Sequence, residues 1–513
     1  MVSDPMRDAG RDYSLTGPER ARAAERGLVE AAWFQPVIDP AALRNLQARS
    51  NGRAARDTIL WLALLIGSGV TAFVLLPSWW AIVPLAVYAA LYGGAADARW
   101  HEHGHGTAFA STVANETIYY VACFMLWRGP TTWRWSHYRH HTDTIIVGRD
   151  AEILFERPSN AWRAAFAFTH LQGGPLMFWR LVKNAFGSLD DGIRDFVPEN
   201  EQRKVVWEAR GFVAITAGIV AWAIAVQSIW PLLFFGLPSI YGAWLMVFFG
   251  ITQHAGMRED VLDHRLNSRS VRMNPVLRFL YLNMNYHVEH HIFPSVPYHA
   301  LPGLHAEIRD QLAPIKPNVV SAYREIFSTL WKQQHDPSYE IPLDLPPARA
   351  AAAKIDVGET AFFHSPAAPN TDGRFDLGDA VGLTRGALRR IDVAAVDDRP
   401  AASYVLCRLD DGSLALADGY CTHQQFHLCD GALIDGDIEC PKHNARFDAR
   451  TGAPTRRPAR TPLTVYAVDE VDGRVVSTLH PLNSPPNPTP VSTTPSTNTP
   501  ATKTPVDQTE YTQ

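Results

Sequence analysis

Hydrophobic residues are distributed unevenly along the sequence, and two long stretches contain no charged residue. Neither residues 58–96 nor residues 211–257 include an Asp, Glu, Lys or Arg. A bilayer core of about 30 Å is crossed by roughly 20 helical residues, so each stretch predicts two spans joined by a short turn. Trp79, Trp80 and Trp230 at these turns suit the lipid–water interface. A buried hairpin of a water-soluble protein is the alternative, but such helices usually carry a polar stripe. The pattern predicts an all-α bundle with four membrane spans.

The distribution of arginine predicts the orientation of these spans. Arginine is frequent before, between and after the two uncharged stretches, whereas both turns lack Lys and Arg. The positive-inside rule then places both termini and the middle section in the cytoplasm, as cytoplasmic helices and domains of an integral protein of the bacterial inner membrane. Two shorter apolar pieces, residues 117–127 and 164–179, are too short to span and are predicted to be interfacial or re-entrant.

The pattern changes near residue 340, which predicts a multidomain protein. Residues 306–340 indicate an amphipathic helix and loop, and a Pro/Ala-rich connector follows at residues 342–353. Short alternating runs separated by Gly and Asp then predict a small all-β domain. The predicted division is a cytoplasmic N-terminal segment that is partly disordered or helical (1–56), a membrane domain (57–310), a helical segment with linker (311–374), the β domain (375–481) and a disordered Pro/Thr/Ser-rich tail (482–513).

Composition excludes two classes of protein. The net charge of the 513 residues is -5 without any long block of one sign, so no nucleic-acid partner is expected. Five cysteines are too few and too unevenly placed for a secreted disulfide framework, so the thiols are expected to face a reducing cytoplasm.

Histidines gather in three boxes beside the predicted spans. The boxes read HEHGH from residue 101, HYRHH from residue 137 and HVEHH from residue 287. Residues four apart share one face of a helix, so each box presents imidazoles to a common point. Neutral imidazoles are good metal ligands, and this many nitrogens exceed what one ion accepts. A two-metal site is therefore predicted, with the ligands His101, His105, His137, His140, His141, His254, His287, His290 and His291.

Other residues near the boxes receive weaker assignments. His103 lies two residues from both neighbours and is expected to point away from their shared face. The carboxylates of Glu102, Asp143 and Glu289 either hydrogen-bond the far nitrogens of the ligands or are solvated surface groups. The remaining histidines have no box partner and are predicted to be structural: His170, His264, His299, His305, His335, His364 and His480.

Residues 57–310 resemble the membrane fatty acid desaturase and hydroxylase family. That resemblance implies a four-span bundle whose three histidine boxes hold a di-iron centre on the cytoplasmic side. The stretches HHTDTIIVGRDAEI and NYHVEHHIFPSVPYHALPGLH look like the branch that includes the desaturase-like oxygenase of rhizopine catabolism. His103 is a departure, because a cysteine or small residue is frequent there in that branch.

Two short loops in the β domain carry a second set of ligands. Cys421 and His423 form one pair, Cys440 and His443 form the other, and sixteen residues separate the pairs. Structural zinc sites usually place two Cys on one loop and two His on the other. In a Rieske cluster one iron takes both cysteines and the other takes both histidines, which suits one of each per loop. The spacing predicts a Rieske 2Fe-2S cluster.

This domain resembles Rieske ferredoxins, with FDARTG fitting their pattern. Phe426 and Lys442 stand where the Rieske proteins of respiratory complexes have disulfide cysteines, so the domain looks like the ferredoxin type that serves oxygenases. Cys407 and Cys429 are expected to be packed thiols.

The fusion favours iron over zinc in the histidine site, because a redox-inert hydrolase gains nothing from a one-electron carrier. The sequence thus predicts a membrane-bound non-haem di-iron oxygenase that uses O2 and electrons from its own Rieske domain to desaturate or hydroxylate a C–H bond, with a fatty acyl lipid as substrate. No GxGxxG unit is evident, so a separate NAD(P)H-dependent ferredoxin reductase is the expected partner.

Three alternatives stay open at this point. The first is a monooxygenase that O-demethylates or hydroxylates a smaller molecule. The second is a zinc-dependent membrane hydrolase with a redox-sensing cluster, and the third is a non-catalytic electron-transfer or iron-handling membrane protein. The metal content and the reaction product distinguish them.

Overall fold

The protein divides into an α-helical part and a β part. The computed structural model describes residues 11–29, 33–346, 362–365, 369–395, 400–423, 426–441, 445–456 and 459–483. The predicted tail from residue 482 lies almost wholly outside these residues, as does most of the connector predicted at residues 342–353.

The described helical part contains the following α-helices in sequence order: α1 Glu19–Glu25, α2 Pro40–Leu46, α3 Asn51–Leu75, α4 Ile82–Ala89, α5 Ala95–His105, α6 Thr112–Met125, α7 Pro130–Thr142, α8 Ala161–Ala167, α9 Gly173–Ala185, α10 Asp191–Phe196, α11 Glu199–Ala225, α12 Trp230–Phe235, α13 Pro238–Tyr241, α14 Trp244–His254, α15 His264–Asn267, α16 Pro275–Leu280, α17 His287–Ile292, α18 Leu301–Ile308 and α19 Val319–His335.

Three described helical segments are long and apolar enough to cross a membrane: Ala42–Leu75, Trp79–His105 and Glu199–Ala225. Only 22% and 17% of the apolar windows of the first and third are buried, so apolar side chains such as Phe73 face outward. In the second segment 56% of the apolar window is buried, so this segment lies deeper in the helical part than the other two. Outward apolar faces on an otherwise packed protein suit contact with lipid.

Of the four predicted spans, the last is not formed by one long helix. Residues 230–254 form three short helices, α12 to α14, instead of one long helix. Pro231 and Pro238 each lie in the first turn of a new helix, because proline has no N–H to continue the preceding one. The apolar content of residues 211–257 does not reveal where prolines interrupt a helix. Three described segments, not four, meet the length criterion.

A close backbone contact joins the broken segment to the central helix. A π-helical turn, Ala90–Gly94, links α4 to α5. A Cβ added to Gly93 would lie 2.5 Å from the carbonyl carbon of Gly242, and one added to Gly94 would overlap Cβ of Leu245. The absence of side chains at these two glycines therefore lets α5, which carries the first histidine box, pack against α14, which ends at His254.

The N-terminal segment packs on the helical part, although partial disorder was one expectation for it; residues 1–10 lie outside the described part. The Arg11 guanidinium donates to Glu259 at 3.0 Å, and the Tyr13 hydroxyl donates to the same carboxylate at 2.7 Å. Further along, the Trp33 ring stacks on His264 with centroids 4.3 Å apart. The segment is thus a structural element beside the third histidine box.

The two shorter apolar pieces form helices inside the helical part. Residues 117–127 belong largely to α6, whose Tyr119 and Cys123 side chains are buried. Residues 164–179 are divided between α8 and α9. The amphipathic helix expected within residues 306–340 is α19, with Ile326 and Leu330 fully buried.

The described β part forms three sheets, and its first strand lies before the start at residue 375 expected from the sequence. The strands are β1 Phe362–Ser365, β2 Phe375–Asp379, β3 Leu388–Val393, β4 Ala402–Arg408, β5 Leu414–Asp418, β6 Ala432–Ile434, β7 Asp437–Glu439, β8 Arg446–Asp448, β9 Pro454–Arg456, β10 Val465–Tyr466, β11 Asp469–Val471 and β12 Arg474–Ser477. Their orders are β1-β3-β4-β5-β10, β11-β12-β2 and β6-β7-β8-β9. Strands β1 and β3 pair in parallel, and the other neighbours are antiparallel.

The Gly93 contact can be tested by substitution. We expect Gly93→Val to destabilise the helical part by about 1–3 kcal/mol or more, because the new side chain overlaps backbone atoms that cannot move aside. The measurement is the midpoint of thermal unfolding in detergent. Gly67→Val is the matched control, because Gly67 is an exposed helical glycine with no atom within 4 Å of its added Cβ. Equal midpoints for the two variants would contradict the packing argument.

Candidate metal centres

Five of the predicted histidines meet in one buried group: His101, His105, His137, His141 and His290. They come from helices α5, α7 and α17, and one ring nitrogen of each lies within 4.8 Å of all the others. The Nε2 atoms of His105 and His137 are 3.1 Å apart, as are those of His137 and His141. Helices α5 and α7 give two histidines each and α17 gives one, and together they form a single convergent set.

The other four predicted histidines form a second group: His140, His254, His287 and His291. Its Nε2 atoms are separated by 3.2 Å between His140 and His254 and by 2.8 Å between His254 and His287. His254 belongs to none of the boxes, and α14 delivers it to this group. The structure thus brings all nine histidines of the prediction together.

The orientation of the rings shows what the groups can hold. His140 Nδ1 donates to Asp150 at 2.9 Å, and His254 Nδ1 donates to the Asn267 carbonyl oxygen at 2.8 Å. In a neutral imidazole this leaves a lone pair on each Nε2. Two lone pairs that face each other at 3.2 Å repel unless a cation lies between them. Nitrogens bound to one ion at about 2.1 Å have this spacing. The residues present therefore fit a metal ion.

Burial favours the neutral form of four of these histidines, whereas at His140 the charge of Asp150 outweighs burial and raises the pKa. Desolvation, followed by repulsion from neighbouring rings, holds the pKa well below the ordinary histidine value for His141, His287, His290 and His291. A neutral imidazole is the form that binds a metal.

The two groups are neighbours. The rings of His141 and His291 stack with centroids 4.3 Å apart, and each belongs to a different group. Helix α7 likewise gives His140 to one group and His141 to the other. Adjacent positions on α7 and on α17 therefore serve two ions, which is the geometry of a dinuclear centre.

Two acids that sequence reasoning missed orient the ligands. Asp150 accepts from His140 Nδ1, and Glu152 accepts from His137 Nδ1 at 3.1 Å. Each acid serves one group, and such outer partners fix the tautomer and raise the basicity of a ligand. The signal in the sequence is the pair of acids in GRDAEI, directly after the second box.

The three acids singled out from the sequence are neither ligand partners nor surface groups. Glu102 accepts from the Thr107 hydroxyl at 2.7 Å, and Asp143 pairs with Arg139 and Arg149. Glu289 accepts from the Ser270 hydroxyl and from His305. All three are buried, so the expectation of solvated carboxylates is wrong as well.

The histidines outside the groups occupy other positions. His103 points away from the centre, as expected, with Nδ1 at 2.8 Å from the Arg99 carbonyl oxygen. His264 lies between the rings of Trp33 and His291, and its centroid is 5.2 Å from that of His291. His335 and His480 are exposed.

The cysteine-bearing loops lie at one end of the β part. Cys421 and His423 follow strand β5, and Cys440 follows strand β7; His443 lies outside the described residues. Both cysteines are 1% exposed. Each loop is closed by a backbone hydrogen bond, from Cys421 to Phe426 at 2.9 Å and from Cys440 to Ala445 at 2.7 Å. Buried thiols in two closed loops suit a cluster that needs thiolate ligands.

These loops face the helical part. Glu439, beside Cys440, forms an ion pair with Arg49 at 2.7 Å, and the side chains are 4% and 5% exposed. Burial by itself raises the pKa of the Glu439 carboxyl. The positive charges of Arg49, Arg446 and Arg456 outweigh this effect and lower the pKa to about 2. The Ser295 hydroxyl donates to the Pro441 carbonyl at 3.0 Å. The loop that carries Cys440 therefore packs directly against the helical part.

Comparison with known proteins identifies both parts. The fatty acid desaturase model matches residues 77–323, and the Rieske [2Fe-2S] domain model matches residues 378–467. The anthranilate 1,2-dioxygenase ferredoxin subunit of Burkholderia cepacia is 38% identical over 85 residues, which are 15% of this chain and 78% of that protein. Ferredoxin CarAc of Metapseudomonas resinovorans is 40% identical and covers 19% of this chain and 84% of its own length. The acyl-lipid (9+3)-(E)-desaturase of Dimorphotheca sinuata is 23% identical over 325 residues, 56% of this chain and 83% of that protein.

The protein therefore has a fatty acid desaturase domain in its helical part and a Rieske [2Fe-2S] domain in its β part. It is an O2-dependent oxidoreductase whose desaturase domain has a histidine-ligated di-iron site and whose Rieske domain has a 2Fe-2S cluster. The predictions of family, enzyme class and cofactors are confirmed, whereas the resemblance to the rhizopine branch stays a prediction.

The role of Asp150 gives a testable expectation. We expect Asp150→Asn to weaken iron binding by the four-histidine group on the order of 10–100-fold, because the His140 ring loses its anionic partner. The measurement is iron per protein after dialysis against a chelator. The exposed Glu156 on the same loop provides the control, Glu156→Gln, which should retain both irons. Full iron retention by Asp150→Asn would refute the role.

Proposed function

We propose that the protein is a membrane-bound di-iron oxygenase that desaturates or hydroxylates a C–H bond of a fatty acyl group with electrons from its own Rieske domain. In this proposal the nine histidines hold two iron ions, and Cys421, His423, Cys440 and His443 hold the cluster. The observation that carries the proposal is that a single polypeptide brings two convergent histidine groups and the cysteine-bearing loops to one interface.

The proposed electron supply balances as follows. A separate NAD(P)H-dependent ferredoxin reductase supplies two electrons, one at a time, to the Rieske domain. The nine histidines would hold two iron ions, and these ions would supply O2 activation. Together with two protons these electrons reduce one oxygen atom to water, while the other enters the product or leaves with two substrate hydrogens as a second water. The ferredoxin likeness of the β part supports a reductase partner.

Acyl lipids are the proposed substrates because two relatives named as acyl-lipid and omega-6 fatty acid desaturases match more than half of the protein. The outward apolar faces of α3 and α11 support a position in the membrane. We further propose that α12 to α14 together complete a fourth crossing, with both termini and the Rieske domain on the cytoplasmic side. The distribution of arginine supports this orientation.

Product analysis tests the reaction. The holoprotein is reconstituted with a ferredoxin reductase, NADH and acyl lipids, and products are identified by mass spectrometry. Loss of two hydrogens indicates desaturation, and a gained oxygen indicates hydroxylation. Zinc in place of iron in the histidine groups, or no O2 uptake above a sample without lipid, would overturn the proposal.

The cluster ligands give a second expectation. Cys440→Ser should abolish reductase-supported turnover while iron in the histidine groups is retained, because the cluster loses a thiolate. Turnover and metal content are measured on the same preparation. Cys429→Ser is the matched control, because Cys429 is the partly buried cysteine outside the predicted ligand set and should tolerate the change. Turnover by Cys440→Ser at the rate of the control would exclude the Rieske domain as the electron source.

A further inference from the structure

A row of charges crosses three adjacent strands of the Rieske domain and faces the helical part. Glu439 on β7 is the register partner of Arg446 on β8, which is in turn the partner of Arg456 on β9. Arg446 donates to Glu439 at 2.7 Å, and Arg49 of the helical part donates to both carboxylate oxygens at 2.7 and 2.8 Å. Three buried or half-buried guanidinium groups thus surround one carboxylate, and two positive charges remain in excess.

Arg456, one of these positively charged residues, also contacts the first histidine box. Its guanidinium donates to the carbonyl oxygen of His105, the last residue of α5. Carbonyls at the end of a helix carry partial negative charge and lack partners within the helix, so a cation there is stabilising. Gly106 makes room: its φ is 66°, and an added Cβ would lie 2.7 Å from the Arg456 guanidinium.

A second contact reaches the third histidine box. Ser295 lies four residues after His291, and its hydroxyl donates to the Pro441 carbonyl. Gln47 donates to the same hydroxyl oxygen at 2.9 Å, which leaves the Ser295 proton for Pro441. Ser295 is 1% exposed, so the hydrogen bond is shielded from water.

Both contacts converge on one cluster ligand. Cys440 lies between Glu439, which holds Arg456, and Pro441, which accepts from Ser295. Through Arg456 the Cys440 loop contacts the backbone of the five-histidine group, and through Ser295 it contacts the segment that follows the four-histidine group.

We infer that Arg456 and Ser295 are positioning residues that dock the Cys440 loop against both histidine groups, and that this docking sets the rate of electron delivery. The inference rests on the proposed function, which makes the Rieske domain the electron donor. Arg460, above the Trp135 ring of α7 at 4.8 Å, adds a third contact on the same face.

Arg456→Gln tests the inference in the full-length holoprotein. A hydrogen bond with a charged donor contributes enough that its loss should lower the equilibrium constant for docking on the order of 10–100-fold. We expect faster amide hydrogen exchange in residues 105–110 and 292–298, and slower reoxidation of the reduced cluster in a single turnover with O2 and acyl lipid. The KM for lipid and the rate of cluster reduction by the reductase should stay unchanged, and Arg456→Lys should restore part of the reoxidation rate. Ser295→Ala should act in the same direction.

Arg450→Gln is the matched control, because Arg450 is half exposed and pairs with Asp411 of the same domain. An unchanged visible and EPR spectrum shows that each variant retains its cluster. Exchange and reoxidation of Arg456→Gln equal to those of the control would overturn the docking inference alone. If the wild-type cluster is reoxidised equally fast in a His290→Ala background, the proposed function itself is wrong.

Discussion

The helical part depends on directing nine imidazoles, eight of them buried, at two points. Lone pairs that face each other at about 3 Å in a dry interior are unfavourable without a cation, so the arrangement fits bound metal ions. Several nearby groups help to orient these rings. Asp150, Glu152 and the Asn267 carbonyl accept hydrogen bonds from the Nδ1 atoms of three of these histidines. The bare backbone of Gly93 and Gly94 brings the helices of the first box and of His254 together.

Much of the site could be predicted from the sequence because its chemistry is local. A box with ligands four residues apart defines a helix face by itself, and the Cys-His loops define a cluster by their composition. The helix breaks were missed because the prediction counted apolar residues only. Pro231 and Pro238 interrupt the helix since proline has no backbone N–H to donate. Asp150 and Glu152 were missed because a loop must turn back on α7 before they meet His140 and His137, and spacing along the sequence does not contain that turn.

Contacts between the two parts were beyond sequence reasoning for the same reason. Arg49 and Glu439 are 390 positions apart, and each resembles an ordinary surface charge in its own segment. Their role becomes visible only in the folded protein, where three neighbouring strands align Glu439, Arg446 and Arg456. In the same place Arg456 donates to the carbonyl oxygen at the end of α5. The N-terminal segment contributes to the contact between the two parts, because Gln47 donates to Ser295 and Arg49 donates to Glu439.

Because the Rieske domain and the helical part belong to one polypeptide, the contacts between them need less affinity than contacts between separate molecules. The ferredoxin relatives are named as subunits or components of dioxygenase systems, and two separate molecules meet at a frequency that falls with dilution. A domain on the same polypeptide experiences an effective concentration that the connecting segment determines, in the millimolar range for short flexible connections. A handful of polar contacts around Cys440 is then sufficient for frequent encounters. Donor and acceptor are also synthesised in equal numbers, so a cell with few copies of the enzyme loses no turnover to a scarce carrier.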